Sequence, residues 1–354
     1  MNGQLISFII PVYNSQKYLA ETLNSIIMQD CKDIEILMIN DGSTDSSQEI
    51  IDRYIRNYSN IRGVSTPNRG VSAARNTGIS MASGKNLAFI DSDDVLCKGA
   101  LNNNLLNLLK EHSFDLIAQE YYLCTPDLKR GTNRLVTQEG LLSEKTPVLY
   151  KNSYHHLCSY LYRTELIRSN EVCFPEGIGH EEDKLFVFQA ASKAENMYLL
   201  KNKWFLYRNH TDNVMHQSES VDYILKDNIH AWEWLRARWG QEYAQTCDSR
   251  IFSHMMAYIE LATQKGVELN EINCNYNECK PFHDTLKNYD SFWKSQHSVQ
   301  VYQAYTSSPE QFYDSYKTER IKMKLKSIVS GIPMIRDIYL YTKYKHDLSA
   351  LNWK

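Results

Sequence analysis

The first hundred residues alternate short apolar runs with amphipathic stretches. Leu5–Ile10 is a compact apolar run bounded by polar residues, the pattern of a strand buried on both faces. Tyr18, Leu19, Leu23, Ile26 and Ile27 then share one helical face behind an Asn14-Ser15 start signal. Ile34–Ile39 predicts a second strand, Asp41-Gly-Ser-Thr-Asp45 a turn, and residues 46–58 a second helix. Ile61–Ser65 predicts a third strand, residues 70–82 a helix of small residues, and Asn86–Ile90 a fourth strand. Four strand–helix units in series predict an α/β fold built on a mainly parallel sheet, with helices on both faces.

Beyond residue 95 the pattern loosens. Leu101–His112 and Asp183–Lys193 read as helices, and Asp115–Glu120 and Asn196–Leu200 as strands. After about residue 215 the periodicity is helical throughout. Trp232, Trp234, Leu235 and Trp239, then Met255, Met256, Ile259 and Leu261, predict two packed helices. The expected division is therefore residues 1–215, with halves 1–95 and 96–215, followed by a mainly α-helical region 216–354.

Charge narrows the function. The formal net charge of −3 provides no basic field, so nucleic acid is not expected as a partner. Basic character concentrates in the tail, where residues 317–345 carry eight Lys or Arg against Glu319 and Asp337, interleaved with Ile321, Met323, Leu325, Ile328 and Val329. Such a segment suits either the inner surface of a membrane or a solvated helix face packed on its domain. No apolar run approaches the roughly 18 residues of a membrane span. The first residues lack a basic leader and read as a strand rather than a signal peptide. Eight cysteines without a Cys-x-x-Cys pair suggest reduced thiols and a cytoplasmic setting, with peripheral contact on the membrane face and homo-oligomerisation both left open.

In an open parallel sheet, ligands bind beyond the carboxyl ends of the strands. The residues there are Pro11-Val12-Tyr13-Asn14, Asn40-Asp41-Gly-Ser-Thr-Asp45, Thr66-Pro-Asn68-Arg-Gly70 and Asp91-Ser92-Asp93-Asp94. Four successive polar clusters should converge on one rim. Asp91 and Asp93 offer hard oxygen donors for Mn²⁺ or Mg²⁺, an ion that bridges carboxylates to substrate phosphates. The alternative for Asp93 or Asp94 is an N-cap for a helix starting near Val95. No Gly-x-Gly-x-x-Gly follows the first strand and no P-loop exists, which excludes dinucleotide and P-loop chemistry.

Strand–Pro11-Val-Tyr-Asn14, Asp41-Gly-Ser-Thr-Asp45, Gly70-Val-Ser-Ala-Ala-Arg-Asn-Thr-Gly78 and Asp91-Ser-Asp-Asp94 resemble the family 2 glycosyltransferases of GT-A fold. The likeness runs through residues 4–110 and resumes at Phe174-Pro-Glu-Gly177 and Glu182-Asp-Lys-Leu-Phe186. It implies transfer of a sugar from a UDP-sugar, with inversion, to a glycan or lipid-linked glycan in bacterial surface polysaccharide synthesis. Residues 1–95 would then be the nucleotide-binding half and 96–215 the acceptor half. The resemblance implies that Pro11, Val12, Tyr13, Asn14 and Asn68 lie at the nucleotide, with Asp41 accepting from the base. It implies that Asp91 and Ser92 lie near the ribose, and that Asp93 binds the metal with Asp91. Arg75 would pair with a phosphate or form an internal salt bridge.

An inverting displacement needs a base for the acceptor hydroxyl, and a carboxylate suits it. Glu181-Glu182-Asp183 could also be an acidic first turn favoured by the helix dipole. The family motif favours Asp183, with Glu182 as runner-up. Arg208 could reach the diphosphate, and His210 could add a metal ligand. The other histidines, His155 and His156 included, have no spacing that signals a site. Rival readings are a pyrophosphorylase, which would want a Gly-rich basic loop after strand 1, and a non-catalytic partner subunit that binds nucleotide sugar or glycan.

Overall fold

The computed structural model describes residues 4–29, 31–128, 131–134, 136, 139–142, 156–209, 221–239, 244–284 and 296–314. His210, His155 and the basic tail 317–345 lie outside the described residues. The chain divides into two compact units, residues 1–219 and 220–354.

The first unit is built on a ten-stranded sheet. β1 (Ile6–Val12), β2 (Ile34–Asp41), β3 (Ile61–Thr66) and β4 (Asn86–Phe89) form its parallel block in the order 3-2-1-4. Every residue of β1 and β2 is buried, which accounts for their nearly unbroken apolar runs. α1 (Leu19–Ile27), α2 (Ser47–Asn57) and α3 (Val71–Met81) connect them. α3 lies close because Gly78 has no side chain: a Cβ there would collide with Ile9 of β1.

β2 also buries a charge. Glu35 accepts from the Ser7 hydroxyl at 2.6 Å, the Ser83 hydroxyl at 2.7 Å and Arg62 at 2.6 Å. Burial alone would raise its pKa, but these hydrogen bonds outweigh it and hold the carboxyl below its ordinary value.

Beyond β4 the sheet is mixed, although over the sheet as a whole most of the paired length is parallel. β5 (Val95–Leu96), β6 (Leu116–Cys124), β7 (Gly131–Arg134), β8 (Gly140–Leu141), β9 (Tyr160–Arg163) and β10 (Met197–Arg208) complete it. β9 runs antiparallel between β4 and β6, while β6 and β10 are parallel. α4 (Asn103–Glu111), α5 (Thr164–Ser169) and α6 (Glu182–Lys193) pack with them.

Three expectations need correction. No helix starts near Val95: residues 95–96 form β5, antiparallel to β10, and Asp94 turns inward to accept the Arg208 backbone N–H at 2.8 Å. Asn14-Ser15 does not cap α1. Asn14 sits at φ 49° with its Oδ1 taking the Thr44 N–H at 2.8 Å, and the helix opens after Tyr18 without a side-chain cap. The last strand runs to Arg208 rather than stopping at Leu200, because Lys201 and Lys203 point outward while Asn202 and Trp204 are buried.

The second unit is helical: α7 (Val221–Trp239), α8 (Ala244–Lys265), α9 (Leu269–Asp284) and α10 (Gln296–Ser307). α7 and α8 pack through Trp232, Leu235, Met255, Met256 and Ile259, all buried, with Trp234, Trp239 and Leu261 half-buried. Among the described residues no helix is long and apolar enough to cross a membrane, and no disulfide forms.

Candidate active site

The carboxyl ends of β1, β2 and β4 carry the polar clusters, and hydrogen bonds between loops fix their shape. The Asp41 carboxylate takes the backbone N–H of Arg69 at 2.9 Å and of Gly70 at 2.8 Å. It thereby pins the loop that holds Asn68, and Gly70, at φ 89°, starts α3. Gly42, at φ 73°, lies against Asn68, so any Cβ at 42 would sit 2.8 Å from the Asn68 nitrogen. Ser15 and Ser92 share a hydroxyl hydrogen bond of 2.6 Å, and the Ser92 carbonyl accepts from Thr22 at 3.0 Å. The Asp91–Asp94 turn is thus strapped to α1.

Of the residues expected at the nucleotide, Pro11 and Val12 are core residues of β1, with side chains buried in the sheet. What reaches the rim is Tyr13, a residue 52% exposed, together with Asn14 and the exposed Asn68.

Arg75 occupies the centre of the site. Although buried, it donates to Asp91 Oδ1 at 2.9 Å and to Glu182 Oε1 at 3.0 Å, and it lies over the Phe174 ring at 5.3 Å. Its guanidinium is therefore held as a cation between two carboxylates. Burial alone would lower its pKa, but Asp91 and Glu182 outweigh it and raise it.

The consequence is positional. One cation joins the turn after β4 to the first turn of α6, residues far apart in sequence. Asn76, next in the chain, adds a second tie, since its amide bonds the Phe174 carbonyl and N–H at 2.9 Å each.

The neighbouring acids at the start of α6 differ in surroundings. Glu182 faces inward; burial, then repulsion from Asp183, pushes its pKa up to about 7 against the pull of Arg75. Asp183 is half-buried, and its Oδ1 accepts the Lys184 N–H at 2.7 Å. Among the described residues nothing donates to Asp183 Oδ2.

Arg208 does not face the rim. Its side chain bonds the Asp93 carbonyl at 2.8 Å, Glu21 at 2.6 Å and the Pro126 carbonyl, over the Tyr18 ring at 4.5 Å. It builds the turn that displays Asp93.

Asp91, Asp93 and Asp94 concentrate negative charge. Burial first, then Asp93 and Asp91, raises the pKa of Asp94 well above the ordinary range. Asp91 and Asp93 remain half-buried. Two hard oxygen donors in a local excess of negative charge fit Mg²⁺ or Mn²⁺, ions that complete their shell with water and phosphate oxygen. Among the described residues no third His, Cys, Asp or Glu joins them as a ready-made metal cluster.

Two further neighbours carry no motif or spacing that marks them. His156 and Cys158 stand beside these acids, with Cys158 Sγ 4.0 Å from Asp91 Oδ2. Burial holds His156 below its ordinary pKa, against the opposing pull of Asp183 and Asp91. The only available signal was their place before a short strand, Tyr160–Arg163, that the pattern did not reveal.

An α/β sheet with acids gathered past its parallel strands, followed by a helical unit, defines a GT-A-type protein. The crystal structure of Staphylococcus aureus TarS 1-349 in complex with UDP-GlcNAc has this fold. It aligns over 87% of this chain and 92% of its own at a TM-score of 0.54 and 19% identity. The family model described as glycosyl transferase family 2 matches residues 7–166. A glycosyltransferase of Haemophilus influenzae is 35% identical over 188 residues, 53% of this chain and 72% of its own length. The chain belongs to the family 2 glycosyltransferases. EpsJ, a glycosyltransferase of Bacillus subtilis, is 30% identical over 216 residues, 59% of this chain and 62% of its own. TarS, a poly(ribitol-phosphate) beta-N-acetylglucosaminyltransferase, is 31% identical over 209 residues, 57% of this chain and 35% of its own. The chain thus matches less than two thirds of EpsJ and about a third of TarS.

Proposed function

We propose that this protein is an inverting, metal-dependent glycosyltransferase. It moves a sugar from a UDP-sugar to a hydroxyl of a glycan or lipid-linked glycan in cell-surface polysaccharide synthesis. The observation that carries this reading is the Asp91–Arg75–Glu182 bridge, which ties the turn of Asp91 and Asp93 to the helix turn that carries Asp183. The family membership and the UDP-GlcNAc in complex with TarS support the donor class.

Tyr13 and Asn68 flank the uracil and Asp41 shapes their loop, with a carboxylate lone pair for the base N–H. Asp91 and Asp93 hold the Mn²⁺ or Mg²⁺, and His210 is a further ligand in this reading. When bound, such an ion offsets charge on the departing diphosphate. Asp183 Oδ2 takes the proton of the acceptor hydroxyl as that oxygen bonds to the anomeric carbon and UDP leaves with the bonding pair. Glu182 acts through Arg75 as a positioning residue. In this reading the protein works on the cytoplasmic side, and the basic tail 317–345 gives peripheral contact with the membrane face.

The test is binding and hydrolysis across UDP-, GDP- and dTDP-sugars, with and without Mn²⁺, on wild type and Asp93→Asn. We expect metal-dependent turnover of a UDP-sugar, reduced at least ~100-fold in Asp93→Asn, as for removal of a main source of transition-state charge stabilisation. Absence of nucleotide binding at any metal concentration overturns the assignment and leaves a scaffold.

A further inference from the structure

The proposed reaction leaves His156 without a role. His156 caps the 3-10 turn Leu157–Ser159, its Nδ1 accepting the Cys158 N–H at 3.3 Å. In a neutral imidazole that places the proton on Nε2. Three rings enclose the imidazole: Tyr121 at 4.8 Å, Phe205 at 5.0 Å and Tyr207 at 5.1 Å between centroids. The residue is half-buried, and among the described residues nothing hydrogen-bonds its Nε2.

Its location is defined from two sides. Cys158, two residues on, touches Asp91, and α6, which opens with Glu182 and Asp183, packs on the same turn. His156 therefore stands between the donor-side acid and the proposed base.

The geometry points to His156 as a contact to the transferring sugar, its Nε2–H donating to a hydroxyl or acetamido oxygen of the glycosyl group. This rests on the transferase assignment. Three features select the sugar over other parts of the substrates. A phosphate calls for a cation, and burial keeps this imidazole neutral. In the proposed reading the uracil lies at Tyr13 and Asn68, neither of which is among the rings that enclose His156. A neutral N–H backed by aromatic rings suits a pyranose, which offers polar oxygens around an apolar face.

Three variants of the full chain separate the possibilities. His156→Asn keeps an acceptor for the Cys158 N–H and vacates the Nε2 position. His156→Phe fills the aromatic enclosure without a donor. His156→Gln carries an N–H to about the reach of Nε2. Titration with UDP alone, titration with the preferred UDP-sugar and Mn²⁺-supported donor hydrolysis are measured on each. UDP affinity should stay within ~2-fold throughout. Asn and Phe variants should bind the UDP-sugar ~10-fold more weakly and hydrolyse it ~10-fold more slowly, as for one lost neutral hydrogen bond, with Gln recovering most of the loss. Should the Phe variant not fold, the Asn variant gives the same comparison.

Wild-type sugar affinity and hydrolysis in the Asn variant overturn the inference. So does a parallel fall in UDP affinity, which marks a structural cap, and so does a loss confined to acceptor transfer, which assigns the imidazole to the acceptor. A wild-type protein that binds no nucleotide sugar overturns the transferase assignment instead.

Discussion

Glu182 and Asp183 are adjacent in sequence and unlike in chemistry. The folded protein holds the Glu182 proton until about pH 7, whereas the unfolded chain releases it near 4.5. Stability from this group is therefore full below about 4.5 and is lost as pH rises through about 7, a change of up to ~3 kcal/mol. Glu182→Gln keeps an acceptor for Arg75 and removes the titration. Denaturant unfolding at pH 5, 6, 7 and 8 should show wild type losing stability relative to the Gln variant as pH rises; parallel curves would refute the burial argument. The acids themselves were legible as a spacing, and so were Asp91 and Asp93. Which acid faces inward was not, because the choice depends on Arg75, 107 residues away in the chain from Glu182. His156 was illegible for the same reason: its neighbours at the site come from other segments.

At the scale of elements, the parallel block was readable because β1 and β2 are buried on both faces and carry nearly unbroken apolar runs. The same logic obscured β10, whose outward lysines interrupt the run, and the two-residue β5, too short to carry any period. The approach of α3 to β1 yields a test. Gly78 is a helix-interior residue at which propensity alone would favour alanine by ~1 kcal/mol. The steric collision with Ile9 predicts the opposite sign. Gly78→Ala should lower stability by ~1–3 kcal/mol in denaturant titration, the range for overpacking a filled core. An alanine variant as stable as wild type would mean that α3 can shift away from the sheet without loss.

For the whole molecule, the change from mixed to purely helical periodicity marked a boundary at 215/216, and the structure divides at 219/220. Each unit has its own buried apolar set, so residues 1–219 should fold alone. That fragment is expected to unfold cooperatively and to bind UDP with Mn²⁺ within ~3-fold of the full chain; calorimetry on the fragment checks both. Failure to fold would show that the helical unit supplies part of the core. Within the first unit, by contrast, the two halves are interlocked. Arg75 of the first half needs Glu182 of the second, Asp94 needs Arg208, and Asn76 needs the 174 peptide. Relatives that exchange segments by recombination face this constraint. A crossover near residue 110 that brings in a foreign second half keeps a working site only if the incoming segment matches all three ties. Variation in the second half should therefore be inherited with residues 111–209 as one block and refined by point substitution, rather than assembled from smaller pieces.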